Sequence, residues 1–408
     1  LPKIKITTFG LIFPLSVVLS GCGGDTTSNG AAPAVTVVAP TPSPPPTPTP
    51  PPTISGIVDF TTIDVSRLDN YANPVLPAHY DGTVTALDNT PNNNAISDRI
   101  ATLGRVLFYD KRLSVNDTTS CSSCHQQASG FDDPQRFSTG FSGTAFTSAH
   151  AMRLGNIKFY RPGTMFWDKR AASLELQVSQ PITHPIEMGF DSTHGGISAL
   201  LTKMAASTYY PDLFTLAFGN AAITEARIQQ ALGQFTRSMI SSASRWDTAY
   251  AQVFSATGPN RNLNVSLPGF TASEDLGRQL FMTGPGQGGA GCAACHQPPT
   301  FALAANSLSN GLDANETIIF KSPSLKNVGL SRAFMHDGKF STLEQVIEHY
   351  NSGIQNGPAL DNRLKTPGGA PQRLNLSVAE KTALVAFLLT LNDNNFTTDA
   401  KLSNPFKK

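Results

Sequence analysis

Two pentapeptides, Cys121-Ser122-Ser123-Cys124-His125 and Cys292-Ala293-Ala294-Cys295-His296, constrain this chain more than any other feature. Two thiols three residues apart on one helical turn can reach the two vinyl groups of one porphyrin, and the adjacent imidazole then points at the iron. The pattern predicts two covalently bound haem c groups, attached through Cys121, Cys124, Cys292 and Cys295, with His125 and His296 as proximal ligands. A thioredoxin-like redox pair or half a zinc site would leave the histidine unexplained twice. The chain has 5 cysteines, so Cys22 alone is left over and no disulfide is expected within the chain.

The 408 residues accommodate two domains besides non-globular parts. With a formal net charge of +1 and no run of Lys or Arg, nucleic acid is not an expected partner. Residues 1–21 read as a secretory signal: Lys3 and Lys5, an apolar run over 9–19 too short to span a bilayer, then Leu19-Ser20-Gly21-Cys22. This segment resembles a bacterial lipoprotein signal, which implies export to the periplasm or cell surface and a lipidated Cys22. Gly23 after the cysteine points to the outer membrane rather than the inner one. Residues 22–55, with Pro44-Pro45-Pro46 and Pro50-Pro51-Pro52, read as an extended tether.

Beyond the tether the chain repeats itself at a separation of about 170 residues, as expected of a duplicated domain rather than a solenoid. Leu103-Gly104-Arg105-Val106-Leu107-Phe108 precedes the first motif, and Leu276-Gly277-Arg278-Gln279-Leu280-Phe281 the second. Downstream, Asn156, Met165-Phe166-Trp167-Asp168 and Ser173-Leu174-Glu175 are mirrored by Asn327, Phe334-Met335-His336-Asp337 and Thr342-Leu343-Glu344. The halves share one plan and differ at Trp167/His336. Sustained period-2 patterns are missing, so the expected fold is mainly α, with two cytochrome c-like haem domains over 56–255 and 256–408 and long loops. Ile228, Leu232, Phe235 and Met239 predict one amphipathic helix. Ser377-x-x-Glu380 predicts the capped start of another, which buries Leu384, Phe387, Leu388 and Leu391.

Over roughly residues 95–395 the chain resembles the bacterial dihaem cytochrome c peroxidase family, and within it the MauG-like branch. The resemblance rests on the residues 103–108, both haem motifs, Met165-Phe166-Trp167-Asp168-Lys169-Arg170-Ala171, Glu187-Met188-Gly189 and Met335-His336-Asp337-Gly338, in that order and spacing.

The resemblance implies an open or openable first haem with Glu187 as acid/base carboxylate, since peroxide heterolysis needs a proton carried from one oxygen to the other. It implies Gln177 and Pro181 beside that face, and Trp167 as an electron relay between the haems. At the second haem, Tyr350 stands where the peroxidases commonly use Met as distal ligand; the MauG branch has Tyr there, and a phenolate stabilises ferric and higher-valent iron. Met335 and His349 are competing ligands, and His336 is expected close to the second haem without ligating it. The family also places a calcium ion between its domains, held by an Asn side chain and backbone carbonyls. Here those positions read His150, Ser331 and Ala333, and imidazole is a poor partner for a hard cation. Carbonyls at Ser331 and Ala333 would remain, and His150 is an alternative distal haem ligand.

The expected activity is reduction of hydrogen peroxide at the N-terminal haem, with electrons from a small redox protein or another periplasmic donor entering through the C-terminal haem. A MauG-like enzyme that oxidises side chains of a partner protein is the first alternative. A non-enzymatic electron-transfer cytochrome is the second.

Overall fold

The computed structural model describes residues 55–408. The signal, the lipidation site at Cys22 and all of the tether except Ser55 lie outside the described residues. Among the described residues no helix is long and apolar enough to cross a membrane.

Four helices carry the repeat: α1 (Asp98–Tyr109), α2 (Glu225–Arg237), α3 (Ala272–Met282) and α4 (Val378–Leu389). Their starts follow from local chemistry. Thr224 accepts the Arg227 amide at the head of α2, while Thr271 with Glu274 and Ser377 with Glu380 form reciprocal capping boxes on α3 and α4. Each cap satisfies amides that the first helical turn leaves without partners.

The helices pair as α1 on α2 and α3 on α4, and one glycine in each repeat permits the approach. A Cβ on Gly104 would lie 2.0 Å from the Ala231 carbonyl oxygen; one on Gly277 would lie 1.9 Å from that of Ala383. Backbone therefore meets backbone at both crossings. The interdigitating side chains form two apolar clusters. Leu103, Val106, Phe108, Phe131, Leu232 and Phe235 belong to the first, and Trp246, Phe281, Phe301, Leu384 and Phe387 to the second. Of the predicted stripe, Ile228, Leu232 and Phe235 lie on α2, and Met239, just beyond its end, is buried with them. Burying rings of this kind contributes about 2 kcal/mol each.

The clusters are interleaved in the chain: Trp246 packs in the second, and Phe396 and Leu402 return from the C-terminal end to the first. Phe131 and Phe301, shortly after the two motifs, are both fully buried and left-handed (φ 61° and 52°). The repeated asparagines Asn156 and Asn327 are also left-handed, a conformation this side chain tolerates. Both reach Ser241: Asn156 Oδ1 accepts its amide and Asn327 Nδ2 donates to its hydroxyl. Strand pairing among the described residues is one antiparallel ladder, His296–Gln297 against Ala302–Leu303, with isolated bridges elsewhere. The fold is mainly α with long loops, as the pattern predicts.

Candidate haem sites and the contacts between them

The first motif opens on a single helical turn, Cys121–Cys124, capped by Ser120, whose own amide donates to Ser123 Oγ at 3.0 Å. The turn sets both thiols on one side and leaves His125 at its C-terminal end. His125 Nδ1 lies 3.2 Å from the Phe131 carbonyl. A carbonyl can only accept, so Nδ1 holds the proton and Nε2 keeps its lone pair for a metal. Burial lowers the His125 pKa, which favours the neutral ring that ligation needs. The same burial pushes Cys121 up to about 12 and Cys124 up to about 11. Both cysteines are free of disulfides.

Glu187 is close enough to these thiols for its charge to add to the upward shift of both. Its own pKa is raised by burial, against the pull of His184 and Arg170. His184 Nδ1 is 3.7 Å from Glu187 Oε1, too far for a hydrogen bond. That nitrogen instead accepts the amides of Ile186 and Glu187, each at 3.3 Å. The carboxyl group is thus held near the His184 ring without a direct bond to it. Gln177 and Pro181 are half-buried on two successive short helices, Leu174–Val178 and Gln180–Thr183.

The second motif stands on the shorter turn Cys292–Ala294, and His296 opens the small ladder. Cys292, Cys295 and His296 line a cavity of about 380 Å³ together with Trp167, Met335 and Tyr350. That volume falls within the range of roughly 300–1,000 Å³ usual for cofactor sites. The residues therefore fit a haem c: two thiols for its vinyl carbons, an imidazole for its iron, and apolar walls that include Phe281 and Leu388. His296 is lowered to about 4 by burial, with further lowering from Arg153 and Arg363. Cys292 is pushed up to about 12, again by burial.

Tyr350 comes from a wide π-helical turn, His349–Gly353, that continues the helix Leu343–Glu348. Such turns change side-chain register at functional sites. Here consecutive residues part company: Tyr350 lines the cavity, while His349 Nε2 sits 3.1 Å from the Asn310 carbonyl. Asn310 Nδ2 donates to Met335 Sδ at 3.2 Å and to the Tyr350 hydroxyl at 3.4 Å. Burial, with smaller contributions from Cys295 and Cys292, raises the Tyr350 pKa; a ferric ion against the oxygen is the kind of charge that reverses this. Met335, like Phe166 at the equivalent position of the first half, has a positive φ, 73° and 67° respectively.

Between the motifs, Trp167 Nε1 donates to the His150 carbonyl at 2.7 Å. The Trp167 ring meets that of His336 edge-on, centroids 6.5 Å apart, and His336 stacks on Phe320 at 3.8 Å. Burial lowers the His336 pKa. His150 points both ring nitrogens at oxygens, with Nδ1 3.1 Å from the Arg136 carbonyl and Nε2 3.2 Å from Asp132 Oδ1.

Three participants have no signal in the motifs. Asp132, Arg153 and Asn310 are single polar residues in irregular segments, and only the folded chain brings them to the two sites. A further group, Asp313, Glu316 and His336, brings its ligand atoms within 4.8 Å of one another. Burial and Asp313 raise Glu316 to about 7.

Comparison with known proteins converges on one family. The family model for di-haem cytochrome c peroxidases matches residues 98–253 and 271–373. Methylamine utilization protein MauG of Methylorubrum extorquens is 32% identical over 317 residues, 74% of this chain and 80% of that protein. Cytochrome c551 peroxidase of Nitrosomonas europaea is 30% identical over 64% of this chain and 73% of its own. The crystal structure of a MauG-like protein associated with microbial copper homeostasis aligns with TM-score 0.64 and 30% identity, covering 82% of this chain and 99% of that one.

Proposed function

The chain belongs to the di-haem cytochrome c peroxidase family, and within it we propose a peroxidase that reduces hydrogen peroxide at the first haem site and takes electrons in through the second. The observation that carries this reading is Glu187. It is a carboxyl group within electrostatic reach of Cys121 and Cys124, and burial raises its pKa above the ordinary carboxylate value. A group so placed can take the proton of one peroxide oxygen and return it to the other.

Haem c, when bound, supplies the iron at which peroxide is cleaved and a store of oxidising equivalents. The residues of the chain do the rest. His125, held by the Phe131 carbonyl, and His296 present one nitrogen each to a metal. Glu187 moves the proton, with Gln177 and Pro181 flanking it. Tyr350, which lines the second cavity, is the proposed distal ligand there, and Trp167 is the proposed relay between the halves. In this reading the peroxidatic domain spans 56–255 and the electron-transfer domain 256–408, with Trp246 packed in the second core and Phe396 and Leu402 in the first.

Hydrogen peroxide added to the fully ferric protein tests the reading. A changed absorption spectrum followed by consumption of a reductant is expected; an unchanged spectrum with no reductant consumed would refute it. Similarity to MauG and the tyrosine at position 350 favour a second reading, in which the final electron donor is a side chain of a partner protein. A tryptophan or tyrosine of a neighbouring protein modified only when this chain is active would select it.

A further inference from the structure

The calcium ion that the family resemblance implies between the domains does not fit the residues found there. The His150 imidazole is a poor partner for a hard cation, and its Nδ1 faces the Arg136 carbonyl while its Nε2 lies 3.2 Å from Asp132 Oδ1. The His150 carbonyl accepts the Trp167 indole N–H. Ser331 Oγ accepts Arg153 NH1 at 2.6 Å. A guanidinium, always cationic in proteins, thus stands against the oxygen ligand set that a calcium ion would need.

Asp132 completes the arrangement. Its side chain is 1% exposed, those of His150 and Arg153 are 3% and 8%, and Arg153 NH1 lies 3.8 Å from Asp132 Oδ2. Within this cluster the charges are one fixed cation, Arg153, and one carboxylate, Asp132, so a divalent ion would add charge that the cluster does not balance. Arg153 also reaches toward the Ser324 carbonyl at 3.5 Å. The cluster connects the halves. Asp132 follows Phe131, whose carbonyl holds His125. Ser324 and Ser331 belong to the second half, and Arg153 lines the second cavity together with His296.

We propose that the interdomain cation of this chain is the Arg153 guanidinium itself, which with Asp132, His150 and Ser331 takes the place of calcium and holds the two haem sites in register without a metal. The proposal rests on membership of the family and is independent of which substrate is oxidised.

The test uses the holoprotein after exhaustive treatment with a calcium chelator. Elemental analysis is expected to find no stoichiometric calcium before or after treatment. Calorimetric titration with calcium chloride should give no binding heat, and the melting temperature and ferric absorption spectrum should be the same in chelator and in excess calcium. One equivalent of bound calcium, or a loss of melting temperature in chelator that calcium restores, would overturn the proposal. The variant Arg153→Met gives a second arm. It removes the charge and leaves Asp132 and the carbonyls of Ser331 and Ala333 to a cation, so it should melt lower than wild type and gain a stabilisation by calcium that wild type lacks. A calcium response identical to that of wild type would remove the guanidinium from the role.

Discussion

Trp167 and His336 occupy equivalent positions in the two repeated halves and differ in identity, and in the folded chain their rings meet edge to face at 6.5 Å. Each is also tied to the same short segment: Trp167 donates its indole N–H to the His150 carbonyl, and the His150 amide donates to the His336 carbonyl at 2.9 Å. One residue thereby fixes both members of the pair. A position where the halves diverge is thus one where they touch.

Trp167→Phe removes the indole donor and keeps most of the ring. Loss of the hydrogen bond is expected to cost about 1 kcal/mol, read as a small fall in melting temperature. Turnover with an external donor should fall by about tenfold or more, equivalent to at least roughly 1.4 kcal/mol in the barrier. Stopped-flow absorption with peroxide and a reduced donor measures it. Turnover equal to wild type would dissociate Trp167 from electron relay.

Glu187→Gln keeps the volume and removes the proton carrier. The rate of the peroxide reaction should drop by a factor on the order of 10² to 10⁴. The pH profile supplies the sign. The carboxylate is the form that accepts a proton, and its pKa is raised by burial, so the wild-type rate should rise as pH increases through a value above the ordinary carboxylate range. In the variant that limb should vanish. A variant with an unchanged acid limb would assign the titration to another group.

Tyr350→Phe deletes the hydroxyl of a residue that lines the second cavity. The protein should still fold, because the hydroxyl's contact with Asn310 is long, 3.4 Å, and worth no more than about 1 kcal/mol. Electron paramagnetic resonance and absorption of the ferric protein should nonetheless change, and Tyr350→Met should give a third spectrum. Identical spectra for all three would exclude Tyr350 as an iron ligand and turn attention to Met335, which lines the same cavity.

Gly104→Ala and Gly277→Ala test the helix crossings. The added Cβ would meet a carbonyl oxygen at 2.0 Å and 1.9 Å, and backbone cannot yield without separating the helices. Each substitution should destabilise by about 3 kcal/mol or more, measured by thermal or denaturant unfolding. Gly82→Ala, where nothing lies within 4 Å of the new Cβ, is the control and should unfold with wild type.

Much of this molecule is legible along the chain because its signals are local. A Cys-x-x-Cys-His run places its three groups within one turn whatever surrounds it. The capping pairs Thr271 with Glu274 and Ser377 with Glu380 likewise depend on residues three apart. The repeat of Leu103 to Phe108 at Leu276 to Phe281 carries the duplication, and Gly104 and Gly277 fall at the same place in it, although a glycine's reason for being there is visible only once Ala231 and Ala383 lie against it.

By itself, then, the sequence determines the cofactor chemistry, the helical character and the internal duplication, since each is written in spacings shorter than two helical turns or in a direct copy of them. Tertiary structure alone decides what each motif faces. Asp132, His150, Arg153 and Ser331 converge across up to 199 positions of chain to fill a cation site, and the neighbours His349 and Tyr350 separate because one turn widens. The physical reason is the same in both cases. Buried charges and cavity-lining groups answer to whatever packs against them, and the partners that pack there come from distant segments whose approach no local periodicity records.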